Sequence, residues 1–186
     1  ISGLNLLILP LAALLITILM PALASARGHA RTAVSMDNMR RLCTAVIIYA
    51  AAHNSELPDP DNWKQQLEPY LNGDPDQVLR SPFEREAGCG FAMNRLLDGS
   101  LMSGSFRTRS KEVRYPSRTV LFFEVESDSS PAGGPELLPE EPLGPRGYVI
   151  GFVDGHVETV EREDLEDLEW APDGKDVYEF EHKDED

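Results

Sequence analysis

The first 26 residues of this 186-residue chain carry no charged side chain. No Lys or Arg precedes Arg27, so the basic leader of a secretory signal peptide is not seen ahead of the apolar run. That weighs against a trimmed signal peptide, although Ala22-Leu23-Ala24 and Ala24-Ser25-Ala26 have the small-residue spacing of cleavage sites. Cysteine is scarce: Cys43 and Cys89 stand alone, with no C-x-x-C pair, which removes the basis for a zinc or thioredoxin-like reading. No serine sits in a G-x-S-x-G setting, and Ala132-Gly133-Gly134-Pro135 reads as a flexible loop rather than a phosphate cradle. His29, His53 and His182 lack ligand spacing. Basic residues form no stripe and the formal net charge is −15, so nucleic acid, which is bound by neutralising phosphates, is not an expected partner. No catalytic constellation, cofactor motif or small-molecule site stands out, and the chain is not expected to be an enzyme.

What is present begins with that uncharged run. As a helix, 26 residues span roughly 39 Å, enough to cross a hydrocarbon core of about 30 Å. The chain opens on Ile1 rather than Met, which leads to the expectation of a processed N-terminus. Beyond Ala24 the pattern stays helical but becomes amphipathic: Ala26, Ala30, Ala33/Val34, Met39, Leu42/Cys43, Val46/Ile47 and Ala50 recur at steps of three and four. Arg27, Arg31, Arg40 and Arg41 lie between them. No strong stop occurs before His53-Asn54, so the spacing predicts one helix to about residue 53, roughly 80 Å long. Its first half is apolar all round, which suits either lipid or a helix bundle. Three uses remain open for it: a trimmed signal peptide, a single-pass anchor, or a helix that leaves the membrane to pack against copies of itself. Pro10 and Pro21 each remove a backbone donor, and lipid alone cannot satisfy the carbonyls they free. The small residues Gly3, Ala12, Ala13, Ala22 and Ala24 permit close helix approach.

Four segments follow from these patterns: an apolar helix (1–26), its amphipathic continuation (27–54), a globular head (55–170) and an acidic tail (171–186). Residues 157–186 hold 14 acidic and 3 basic side chains. Residues 55–118 read as a long irregular connection with a short helix from Asn62-Trp63 to Leu71 and a turn at Asn72-Gly73-Asp74-Pro75. Thr119–Glu126 (TVLFFEVE) is β-branched and aromatic, as strands are. Ser127–Pro145 reads as a loop. Tyr148–Val153 and His156–Glu161 read as a hairpin closed by Asp154-Gly155, a two-residue type I′ turn with positive φ at both central positions. Asp154 and His156 could be taken for an acid–base pair, but nothing nucleophilic is tied to them, and a structural turn beside a sheet-face His is the plainer reading. Outside the cytoplasm, a Cys43–Cys89 disulfide would close a loop of about 47 residues and contribute roughly 3–4 kcal/mol. The alternative is a buried free thiol at Cys43 and an unrelated Cys89.

Five pieces, in order, carry a family likeness: Leu19-Met20-Pro21-Ala22-Leu23, Asn38-Met39-Arg40-Arg41, Tyr49-Ala50-Ala51-Ala52-His53-Asn54, Pro116-Ser117-Arg118-Thr119-Val120-Leu121-Phe122 and Phe152-Val153-Asp154-Gly155-His156-Val157. The arrangement resembles the type IV pilin-like proteins, and within them the type II secretion pseudopilins that end in an F-x-D-G-H-V hairpin. It covers residues 1–54 and 115–160. The family usually has Phe or Met at the mature first position and Glu at the fifth, where this chain has Ile1 and Asn5; many relatives place a His where Gly144 stands, and Pro10 is extra. The resemblance implies an α+β fold, a long N-terminal helix packed on a small antiparallel sheet with long irregular connections. It implies a structural subunit of an extracellular filament, a homo-oligomer bundled through its apolar helices from an inner-membrane precursor. The alternative is a membrane-anchored minor or accessory protein that forms no filament alone. Ile1, Asn5, Pro10 and Pro21 become assembly positions, with non-helical backbone expected between Thr17 and Ala24 in the assembled form. Some relatives bind calcium in a C-terminal loop; the candidate oxygens here are Asp59/Asp61, Asp74/Asp76 and Asp173/Asp176, none of which completes an EF-hand pattern, and a solvated acidic surface is the other reading.

Overall fold

The computed structural model describes residues 2–83, 88–98, 108–126 and 128–174; in the first helix, side chains are described at residue 17 and from residue 19 on. That helix, α1 (Ser2–Ala52), ends one residue short of the expected place. Its terminator is local. Asn54 (φ 55°) and Ser55 (φ 70°) are the non-glycine residues with positive φ among those described. Asn tolerates that left-handed turn because its short polar side chain can bond locally. The reversal lets the Ser55 N–H donate to the Ala50 carbonyl at 2.7 Å. In the single chain α1 is helical through both prolines; the non-helical backbone expected between Thr17 and Ala24 belongs to the assembled form. Pro21 is exposed, and the leucine, methionine and alanine residues around it are strong helix formers. Among the described residues, no helix is long and apolar enough to cross a membrane.

The connection is more structured than its composition suggests. It holds α2 (Trp63–Leu67), continued by a 3-10 turn at Glu68–Tyr70, then α3 (Pro75–Val78) and a strand, β1 (Phe91–Asn94). Four further strands follow: β2 (Val120–Glu124), β3 (Ala132–Gly133), β4 (Tyr148–Phe152) and β5 (Val157–Val160). They form one sheet in the order β3-β1-β2-β4-β5. All pairings are antiparallel except β1 with β3, so the sheet is mixed rather than the antiparallel sheet expected. β1 and β3 escape sequence reading for the same reason. β1 is buried along its whole length and shows no alternation, and β3 is two residues inside a proline-rich loop.

The sheet is covered on both faces. On one side α1 and α2 pack Met39, Leu42, Cys43, Val46, Tyr49, Trp63 and Leu67 against Phe91, Met93, Leu121, Phe122, Val149 and Val153. On the other, Leu165, Leu168 and Trp170 cover Ala92, Val120, Phe123, Ile150 and Phe152. Ala171 is buried as well, so the head runs at least one residue beyond the expected boundary. A bulge in β2, where Val120 opposes Phe152 but Phe122 opposes Gly151, lets both Leu121 and Phe122 serve the α1 side.

The stripe expected on α1 holds only from Met39 onward. Ala26, Ala30, Ala33 and Val34 are exposed. The buried face there is polar: Thr32, Ser35 and Asn38. Apolar periodicity cannot see such a face: Ser35 and Asn38 find their hydrogen-bond partners elsewhere in the chain, while Thr32 Oγ1 donates to the Gly28 carbonyl one turn back in α1.

Candidate functional site

Three features of the head bear on function: a buried polar seam under α1, the Asp154–His156 hairpin, and the surface of α1 left uncovered. The seam is built around Glu124 at the end of β2, which is 3% exposed. Ser35 Oγ donates to Glu124 Oε1 at 2.7 Å and Ser81 Oγ to the same oxygen at 3.1 Å. Asn38 Nδ2 donates to the carbonyls of Gln77 and Arg80 at 3.2 and 3.4 Å. These bonds fasten the helix to β2, to α3 and to the chain just after it. Burying a carboxylate without donors is costly, so its hydroxyl partners set where α1 sits along the sheet.

The hairpin differs from expectation. Phe152 N–H donates to the His156 carbonyl at 3.0 Å and Gly151 opposes Val157, so the loop is the three residues Val153-Asp154-Gly155. Of Asp154 and Gly155, only Gly155 has positive φ (95°), which rules out the type I′ turn. A three-residue loop with glycine in the left-handed position is the common alternative. Asp154 Oδ1 accepts from the His156 N–H at 3.1 Å and lies 2.6 Å from His156 Nδ1. The imidazole stacks flat on Phe152 with centroids 4.2 Å apart. The pair therefore braces the turn. The turn itself meets the helix, since a Cβ at Gly155 would lie 2.5 Å from Ile47 Cδ1.

The cysteines are both free, as in the second of the two readings open for the pair. Cys43 faces Gly151 on β4, while Cys89 Sγ donates to the Phe91 carbonyl at 3.1 Å. Each sulfur is held by its own neighbours in the core between α1 and the sheet. Burial, with the negative charge of Asp154 second, pushes the Cys43 thiol from 9.0 up to about 12. Burial also raises Cys89. The sign of the consequence follows from proton counts. Between pH 9.0 and about 12 the unfolded chain has released the Cys43 proton while the folded chain still holds it. Stability is thus intact below pH 9.0 and falls by up to about 1.4 kcal/mol per pH unit above it. Comparing urea midpoints of the wild type and Cys43→Ala from pH 8 upward should show a shallower decline in the variant (about one unit of slope). Equal slopes would refute the assignment.

The calcium candidates serve local turns. Asp59 accepts from Asp61 N–H and from Asn62 Nδ2, Asp61 pairs with Arg95, and Asp74 caps α3 by accepting from Asp76 N–H. Asp173 lies in the turn before Gly174, and Asp176 lies outside the described residues. Among the described residues, no three His, Cys, Asp or Glu side chains gather closely enough to hold a metal ion. Of the assembly positions, Ile1 lies outside the described residues. Asn5 and Pro10 lie in α1 with side chains outside them, and Pro21 is exposed.

The uncovered surface of α1 is the feature that remains. Near Gly28 and Thr32 the helix meets Pro145 and Gly144. From Leu19 to Arg27 every described side chain is exposed, including Leu19 (59%), Met20 (68%) and Leu23 (53%). Val34, Ile47 and Ile48 are also exposed. No family model, curated protein or solved structure matches this chain.

Proposed function

We propose that the chain is a structural subunit that polymerises into a type IV pilus-like filament, with α1 as the assembly element and the head as the outer layer. The observation that carries this reading is the half-covered helix. Its C-terminal half is fastened to the sheet by an apolar core and a polar seam, while the stretch from Leu19 to Arg27 presents Leu19, Met20 and Leu23 to the surroundings. Large apolar side chains in a row on a projecting helix need a cover, and lipid or other helices supply one. The sequence elements at Leu19–Leu23, Tyr49–Asn54 and Phe152–Val157 support the same reading by resemblance. In this scheme the membrane holds the subunit before assembly and sister helices replace it afterward. In this reading the Asp154–His156 pair serves to hold a turn and the buried Glu124 carboxylate to hold the helix.

The test is electron microscopy of material sheared from cells producing the full chain, beside Leu19→Lys/Leu23→Lys. The wild type should yield helical fibres, and the variant none while still reaching wild-type levels in the membrane fraction. A wild type that stays a detergent-soluble monomer would overturn the proposal.

A further inference from the structure

Resting on that filament reading, we infer that adjacent subunits engage through an arginine pair on α1, Arg27 and Arg31, seated in an acidic cleft beside β5 of a second copy of this chain. The guest surface is unpartnered. Arg27 and Arg31 lie one helical turn apart, are exposed, and form no ion pair among the described residues. Ala26 and Ala30 beside them are exposed too, so a neighbouring surface can come close to this part of the shaft.

The receptor lies across the sheet. A cleft of about 270 Å³ opens between β5 and the 3-10 turn Arg162–Asp167. Glu158, Asp164 and Asp167 line it together with Arg118, whose Nη2 donates to the Asp167 carbonyl at 2.7 Å, so three carboxylates face one resident cation, with Phe152, Val160 and Leu168 supplying apolar surface. None of these three carboxylates forms an ion pair among the described residues. A cleft that mixes carboxylates with apolar surface suits arginine. The guanidinium donates in a planar fork that matches a carboxylate, and its aliphatic stem covers apolar carbon. Residues 154–169 hold eight acidic side chains and one basic, whereas residues 27–41 hold four arginines and one aspartate. Within one chain α1 packs on one face of the sheet and the Arg162–Asp167 turn closes over the other, and no ion pair among the described residues joins Arg27 or Arg31 to the cleft.

The occupant is therefore a second copy. Two different patches on one chain make a head-to-tail contact, and such a contact propagates as an open helix unless its rotation happens to close. On a chain of net charge −15, a matched pair of opposite patches also fixes which surfaces meet, since other approaches bring like charges together.

Charge reversal tests the contact in the full chain. Arg27→Glu/Arg31→Glu and, separately, Asp164→Lys/Asp167→Lys should each cut filament yield by roughly tenfold at low salt, and the four changes combined should restore most of it. In parallel, Arg31→Cys and Asp164→Cys chains, both carrying Cys43→Ala and Cys89→Ala, are co-produced, and membranes and filaments are oxidised. A mixed disulfide-linked dimer should form, at least several-fold above either chain alone. The two readings then fail separately. Cross-linking without wild-type filaments supports the contact and overturns the polymer. Filaments that tolerate both reversals and give no cross-link overturn the contact alone. Neither filaments nor cross-link overturns both.

Discussion

Gly151→Val is expected to destabilise the head by about 3 kcal/mol or more, and Gly151→Ala by about 2. The position is where α1 crosses β4. A Cβ there would lie 2.6 Å from Cys43 Sγ and 3.1 Å from both Met39 Cγ and Sδ. Met39 can give way at the far end of its flexible side chain. Cys43 cannot, because its sulfur sits one bond from a Cβ anchored in α1, and Cys43 is fully buried. Gly151 is not among the residues with positive φ, so the cost is steric and carries no backbone component. That makes the origin separable. Removing the sulfur with Cys43→Ala should recover part of the Gly151→Ala loss, with a coupling of about 1 kcal/mol in a double-mutant cycle. For a domain of this size, 3 kcal/mol corresponds to roughly 6–12 °C in Tm, read by thermal melting of the full chain in mild detergent. A Gly151→Val chain that melts within about 2 °C of the wild type would show that helix and sheet do not meet this closely.

Trp63→Ala is expected to cost about 3–5 kcal/mol, the range for truncating a buried aromatic. Trp63 is 1% exposed and pins the irregular connection to the sheet in two ways. Its ring meets Phe122 edge-on with centroids 4.9 Å apart, and its Nε1 donates to the Pro131 carbonyl at 2.8 Å. The hydrogen bond joins the start of α2 to the loop before β3, 68 residues away in sequence. Trp63→Phe should keep most of the packing and lose about 1 kcal/mol with the bond. The Ala variant should also loosen its surroundings first. Cys89 packs at the margin of the same cluster and Cys43 at its centre, so alkylation of Cys89 should accelerate well before that of Cys43. If both thiols became reactive together, the connection and the helix would be one cooperative unit, and the view of Trp63 as a local anchor would be wrong.

How much of this was legible beforehand depended on the range of the forces. The end of α1 was readable because the signals are local: uninterrupted helical spacing up to Ala52, then Asn54 in a turn that asparagine tolerates. The short helix expected from Asn62-Trp63 to Leu71 is there as α2 and the 3-10 turn that continues it to Tyr70. β2 lies within two residues of the span its β-branched and aromatic run predicts, and β4 and β5 lie within one residue of the spans predicted by the apolar runs on either side of Asp154-Gly155. The turn type was not legible, since the choice between a two- and a three-residue loop is made by the register of β4 on β5. The exposed Leu19, Met20 and Leu23 are what an all-round apolar run predicts when only half of the helix meets a sheet.

The sequence by itself determined where the long helix ends, the α+β composition, the hairpin and the charge asymmetry between the arginines of α1 and the acidic C-terminal region, because each is written in residues a few positions apart. The tertiary structure decided which face of α1 is buried, and it chose Thr32, Ser35 and Asn38 over Ala30 and Val34. It also left the two cysteines unpaired, and it recruited β1 and β3 from stretches without a period. The reason is the same in each case: the deciding partner is remote, as with Ser35 and Glu124, 89 residues apart and 2.7 Å from each other. A buried hydroxyl is favourable only when a distant chain segment brings its acceptor, and no local pattern records that arrival.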